Sequence, residues 1–117
     1  MSFIRRGELV GSEKTDANRE GVISVLASSE FKDLISGIID NWKQEIQVML
    51  QALDRNNYEA IRSISHKMRG TGAMLGFGDI TEMGEILETA AANRNKERIR
   101  ETLQMLSAHI VKMDVEY

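Results

Sequence analysis

The sequence predicts an all-α protein, an antiparallel up-down-up-down four-helix bundle with a loose N-terminal arm. Three observations predict it. The 117-residue chain has no proline, so no ring interrupts a long helix. Four segments carry apolar residues at three- and four-residue steps, the period of an amphipathic helix. The breaks between them are short, which turns each helix back along the one before.

Composition bounds the function. One domain is expected at this length, large enough to bury a core. The net charge is -3, which argues against a general nucleic-acid binder with its basic face. No cysteine is present, which excludes disulfides and thiolate metal sites. No apolar run is long enough to span a bilayer, and Met1–Glu8 has no apolar centre like that of a secretion signal. A cytoplasmic chain with no membrane partner is expected.

The elements follow in order. Residues 1–21 are polar and without a clear period, punctuated by Gly7, Gly11 and Gly21, and read as the arm. The bundle is expected over 22–117. Val22–Leu26 is a short apolar run expected to lie extended over the bundle. Ser28 and Ser29 offer a helix N-cap, with Glu30 in the first turn. Phe31, Leu34, Ile35, Ile38, Trp42, Ile46, Met49, Leu50 and Leu53 then form the stripe of a long first helix. Asp54–Asn57 breaks it. A second helix starts near Asn57 or Tyr58, with Ile61, Ile64, Met68, Thr71 and Leu75 on one face, and stops at Gly76-Phe77-Gly78. Asp79 is expected as the next N-cap, with Glu82 completing a capping box. Ile80, Met83, Ile86, Leu87, Ala90 and Ala91 are the stripe of the third helix. After a turn at Asn93–Asn95, Ile99, Leu103, Leu106, Ile110 and Met113 are that of the fourth. Residues 111–117 alternate apolar and polar, and could form an extended tail against residues 22–26.

Ser65–Gly78 concentrates the chemistry. It holds His66, one of two histidines, in a local run of positive charge. A lone histidine on a helix is more often incidental than functional. Its neighbours alter that balance. At about 100° per residue, His66 points away from the apolar face and shares a ridge with Arg62, Arg69 and Ala73. An exposed imidazole can act as a nucleophile through its neutral ring nitrogen. A phosphoryl group placed there would meet cations able to steady it. Gly70 and Ala73 leave room for another protein's backbone, which a merely solvated face does not require. The histidines lack a recognisable set of fellow metal ligands. The glycines at 70, 72, 76 and 78 do not make a P-loop, because no Gly-Lys-Ser/Thr ending follows. A phosphoryl group would therefore have to come from another protein. The seven methionines read as core filler, with Met68, Met74 and Met83 possible near a partner face. Trp42 reads as packing and His109 as surface.

Ser65-His-Lys-Met-Arg-Gly-Thr-Gly-Ala-Met-Leu-Gly-Phe77 resembles the signature of the histidine-containing phosphotransfer (HPt) domains of two-component phosphorelays. The resemblance runs from about residue 22 to the C-terminus and includes Ile80-x-x-Met-Gly-x-x-Leu-Glu88. It implies a four-helix bundle without an ATP site, carrying a phosphoryl group between receiver-domain aspartates. It implies His66 as the phosphoacceptor. Arg69 stands where the family often has lysine, and Gly70 is the small residue that admits the receiver. Glu88 stands where a polar residue of the next helix commonly holds the histidine ring. Arg62, Lys67, Gly70, Ala73, Met74 and Phe77 are the implied docking surface, with apolar help from the start of the first long helix. The implied partners are response-regulator receiver domains and a hybrid histidine kinase, met by a monomer. The chain would need no cofactor of its own, the Mg²⁺ belonging to the receiver. The first 20 residues have no counterpart in the family pattern.

Two rival readings remain at this level. A kinase dimerisation region usually follows its histidine with an acid and a nearby proline, whereas Lys67 follows here and the chain has no proline. A helical adaptor without phosphotransfer would make His66 decoration.

Overall fold

A computed structural model of the protein describes residues 29–116, all in helices and the tight turns that join them. The helices are α1 (Ser29–Asp54), α2 (Tyr58–Leu75), α3 (Gly78–Ala92) and α4 (Lys96–Glu116). The expected arm, the run at 22–26 and the cap at Ser28 lie outside the described residues. The chain divides into two compact units. The described part of the first is residues 29–37, the opening of α1. The second, Ile38–Glu116, is a four-helix bundle and holds the candidate site.

In that second unit each helix turns one apolar stripe inward. Ile39, Trp42, Ile46, Met49 and Leu53 of α1 are buried, as are Ile61 and Met68 of α2. Ile80, Met83 and Leu87 of α3 join them, with Ile99, Leu103, Leu106, Ile110 and Met113 of α4. Burying a side chain of this size contributes about 1.5–3 kcal/mol. Ile39 rather than Ile38 carries the stripe of α1, because 39, 42, 46, 49 and 53 keep the alternating three-four step around Trp42; Ile38 and Leu50 are only half-buried. In α2 the inner face is Ile61, Ser65, Met68 and Gly72, with Ile64, Thr71 and Leu75 at its margins.

Local chemistry sets the ends of α2. The Asn57 side chain accepts from the Ala60 N–H at 3.2 Å, capping the N-terminus. At the other end Gly76 takes φ +81°, and the Phe77 N–H reaches the Gly72 carbonyl at 2.8 Å. This left-handed cap reverses the chain, so that α3 starts after two residues.

One expectation is corrected, and one alternative left open by the sequence is decided. Phe77, not Asp79, is the N-cap of α3, and no side chain caps it. The Phe77 carbonyl takes the Thr81 N–H at 3.1 Å, so the helix begins before Asp79 can act. Asp79 falls in the first turn, where its charge suits the helix dipole. The C-terminal segment is helical to Glu116, not extended. Of its alternating apolar residues only Met113 is buried, while Val111 and Val115 are exposed, so the three-four period overrides the two-residue one.

Candidate functional site

Three side chains meet on the outer surface of α2 and α3. The His66 Nδ1 lies 3.0 Å from Glu88 Oε2, and Arg69 donates through its Nη1 to Glu88 Oε1 at 3.1 Å. A single carboxylate thus bridges the imidazole and the guanidinium. His66 and Arg69 share a face because three residues make just under one helical turn. Glu88 reaches them from the next helix because the Gly76 cap lays α3 back along α2.

Close helix packing makes this reach possible. A Cβ added at Gly84 would sit 3.0 Å from the Arg69 Cβ and 3.1 Å from its Cα and backbone nitrogen. One at Gly72 would sit 3.0 Å from the side chains of Ile80 and Thr81. The two glycines, one in each helix, let the α2 and α3 backbones approach at the level of the site. Thr81 Oγ1 also reaches back to the Phe77 carbonyl at 3.3 Å, securing the first turn of α3.

The contact with Glu88 favours one tautomer of a neutral ring. A carboxylate only accepts, so in the neutral imidazole Nδ1 carries the proton and Nε2 keeps its lone pair. The His66 side chain is 64% exposed whereas Glu88 is 21% exposed, so the anchor is sheltered and the ring is presented outward. On the same surface Arg62 donates to Glu59 at 2.8 Å. That hydrogen bond, aided by the Glu59 charge, pushes the Arg62 pKa further up, so it stays cationic.

The remaining site residues divide. Gly70 faces open space, with none of the described residues within 4 Å of an added Cβ. Ala73 is exposed, and Met74 is the apolar side chain that stands out beside it, 77% exposed. Lys67 leans toward α1, its Nζ 3.7 Å from Glu45 Oε2. Phe77 is half-buried and meets Trp42 edge-on at 6.3 Å, which gives its ring a structural task. Met68 and Met83 belong to the core and not to a partner face. His109 is not simply a surface residue: it is partly buried, its Nε2 3.8 Å from Asp79 Oδ2.

Sequence reasoning missed three contributors. Ser65, which the sequence shows only as the start of the motif, is fully buried and donates to the Ile61 carbonyl at 2.6 Å against Met49 of α1. A polar residue one step from the exposed ridge, in phase with Ile61 and Met68, was the signal. Gly84 was legible only as a glycine inside an apolar stripe, the mark of close backbone approach. Glu45 gave no signal, because its link to Lys67 depends on how α1 lies beside α2.

Among the described residues no cluster of histidines and carboxylates could hold a metal ion, and no helix is long and apolar enough to cross a membrane. The family model described as Hpt domain matches residues 33–113. No curated protein and no solved structure matches the chain.

Proposed function

The chain belongs to the Hpt domain family, whose members carry phosphoryl groups on histidine in phosphorelays, and from that membership we propose that His66 is its phosphoacceptor. The observation that carries the reading is the Glu88 carboxylate at 3.0 Å from His66 Nδ1, which leaves Nε2 as the exposed nucleophile.

The reaction is an in-line exchange. The Nε2 lone pair attacks the phosphorus of a receiver's phospho-aspartate, the aspartyl O–P bond breaks, and its electron pair leaves with the carboxylate. The second transfer is the reverse, with an aspartate of another receiver as nucleophile. Glu88 holds the ring in the correct tautomer and orientation. Arg69 and Arg62 supply positive charge for the moving phosphoryl group, Arg69 with a planar fork suited to two of its oxygens. The chain brings no cofactor, and the receiver supplies Mg²⁺. Gly70 and Ala73 leave clearance for the receiver, Met74 gives it an apolar contact, and Lys67 a rim charge. We take the chain to act as a cytoplasmic monomer between a hybrid kinase and a response regulator.

Incubation with a receiver carrying labelled phosphate tests this. The chain should acquire acid-labile, base-stable label, and His66→Gln should acquire none. Label that persists in that variant overturns the assignment of His66. A folded chain that takes no label from a broad panel of receivers favours an adaptor.

A further inference from the structure

Glu88 is shared in the resting site, and a phosphoryl group on Nε2 would change how it is shared. Its two oxygens are divided between His66 Nδ1 at 3.0 Å and Arg69 Nη1 at 3.1 Å. With the ring neutral, the one full charge pair is Glu88 with Arg69. A phosphoryl group on Nε2 brings a second, stronger anion onto the face where Arg69 lies. We infer that phosphorylation exchanges partners: Arg69 leaves Glu88 for the phosphoryl oxygens, and Glu88 takes in return the positive charge of the phosphorylated ring. The inference rests on His66 being the phosphoacceptor.

The chemistry balances without any proton crossing the site. When Nε2 uses its lone pair to form the N–P bond, Nδ1 keeps its hydrogen and the ring becomes a cation. Glu88, released by Arg69, is its counter-ion. On the outward transfer the acceptor aspartate's oxygen attacks phosphorus and the N–P bond breaks. The bonding pair returns to Nε2, cancelling the ring charge. The leaving group is then a neutral imidazole, a far better one than the anion that would depart had Nδ1 lost its proton. Glu88 therefore keeps the phosphohistidine in the form that can give its phosphoryl group away.

Other charges around the ring do not replace it. Arg62, Lys67 and Arg69 on α2 are cations and oppose a cationic ring. Glu59 is engaged by Arg62 at 2.8 Å. From α1, Glu45 is drawn to Lys67 at 3.7 Å. Glu88 alone, from α3, presents a carboxylate to Nδ1 among the described residues. A glutamine at 88 could accept the same hydrogen bond but supplies no charge, and a hydrogen bond to a charged partner is worth more than a neutral one by about tenfold in an equilibrium.

The test uses the full chain labelled with ¹⁵N and phosphorylated by phosphoramidate, so that no receiver is needed for loading. Ring ¹⁵N shifts are followed with pH in the wild type, Glu88→Gln and Glu88→Asp. The phosphorylated wild type should keep its Nδ1 proton to a pH about one unit higher than Glu88→Gln, with Glu88→Asp between them. Arg69 guanidinium resonances should shift on phosphorylation of the wild type. Discharge to an unphosphorylated receiver should slow in Glu88→Gln by about tenfold above neutral pH and little below it. The same proton-loss pH in all three chains, an unmoved Arg69, or a pH-independent loss of rate overturns the exchange while leaving His66 as acceptor. A His66 ring that takes no phosphoryl group overturns the exchange and the phosphoacceptor reading together.

Discussion

Arg69 illustrates how a surface residue can serve the site without serving the fold. Its backbone packs against Gly84, but its guanidinium meets the Glu88 carboxylate at the surface with 40% of the side chain exposed. An exposed ion pair of this kind contributes little to stability. Charge-assisted contact to a phosphoryl group is worth about 1.5–3 kcal/mol. Arg69→Ala should therefore leave the thermal unfolding curve nearly in place and slow phosphotransfer about ten- to hundredfold. Calorimetry beside a transfer time course checks it; a chain that unfolds would mean that the helix faces are wrongly placed. At this scale the ridge of Arg62, His66 and Arg69 was legible because all three lie on one helix, where spacing fixes direction. Glu88 had no such signal. It is 22 residues away from His66 on another helix, and only the family resemblance pointed to it. Asp79 was misplaced for the opposite reason. Its sequence has the form of a capping box, but the reversal at Gly76 starts the helix too early for that box to close.

At the scale of the element, two glycines of the α2–α3 pair make opposite predictions. Gly84 has no room: an alanine there would push against the backbone of Arg69. Gly84→Ala should cost about 1–3 kcal/mol, read as a lower denaturant midpoint. It should also disturb Glu88, which follows one turn later on the same helix. Gly70 has room among the described residues, so Gly70→Ala should gain the usual helix propensity, about 0.5–1 kcal/mol. If Gly70 is clearance for a receiver, the more stable variant should also transfer more slowly, and progressively so with larger side chains. A more stable Gly70→Ala with undiminished transfer to every receiver would remove Gly70 from the docking surface. The sequence shows both glycines but not the difference between them. Helix periodicity tells which face a residue lies on, not how near the neighbouring backbone comes. The phase of α1 was ambiguous in the same way. Two adjacent isoleucines, 38 and 39, both lie within a turn of Trp42, and the buried one is Ile39, which keeps the strict three-four alternation.

For the molecule as a whole, the bundle of Ile38–Glu116 and the surface site use different residues. Leu106 is fully buried in the core and distant in sequence from the ridge. Leu106→Ala should cost about 2–5 kcal/mol in a chemical denaturation experiment. Stability also depends on pH through the Lys43–Asp114 pair, which ties α1 to α4. The hydrogen bond from Lys43 to Asp114 raises the lysine pKa above its ordinary 10.5, against a smaller opposing effect of desolvation. A raised folded-state value means stabilisation that is complete below the ordinary value and lost as pH rises through the raised one. Melting temperature should accordingly fall in that alkaline window, and Lys43→Met should flatten this part of the profile. The four-helix architecture was the most legible feature of all. It depends on stripe period, loop length and the absence of proline, each written locally in the chain. The last helix was less so, because Val111, Met113 and Val115 mimic a strand until burial shows that only Met113 faces inward.

The turn at Asn93–Asn95 closes the α2–α3 pair before the chain enters α4. His66, Arg69, Gly84 and Glu88 all precede it, so every side chain of the proposed exchange belongs to one hairpin. The last helix contributes no side chain to that exchange. Covalent continuity across that turn is therefore dispensable in principle. A chain divided there would separate into a chemical half and a supporting half, and phosphoryl transfer would become a report on whether the two halves have found each other.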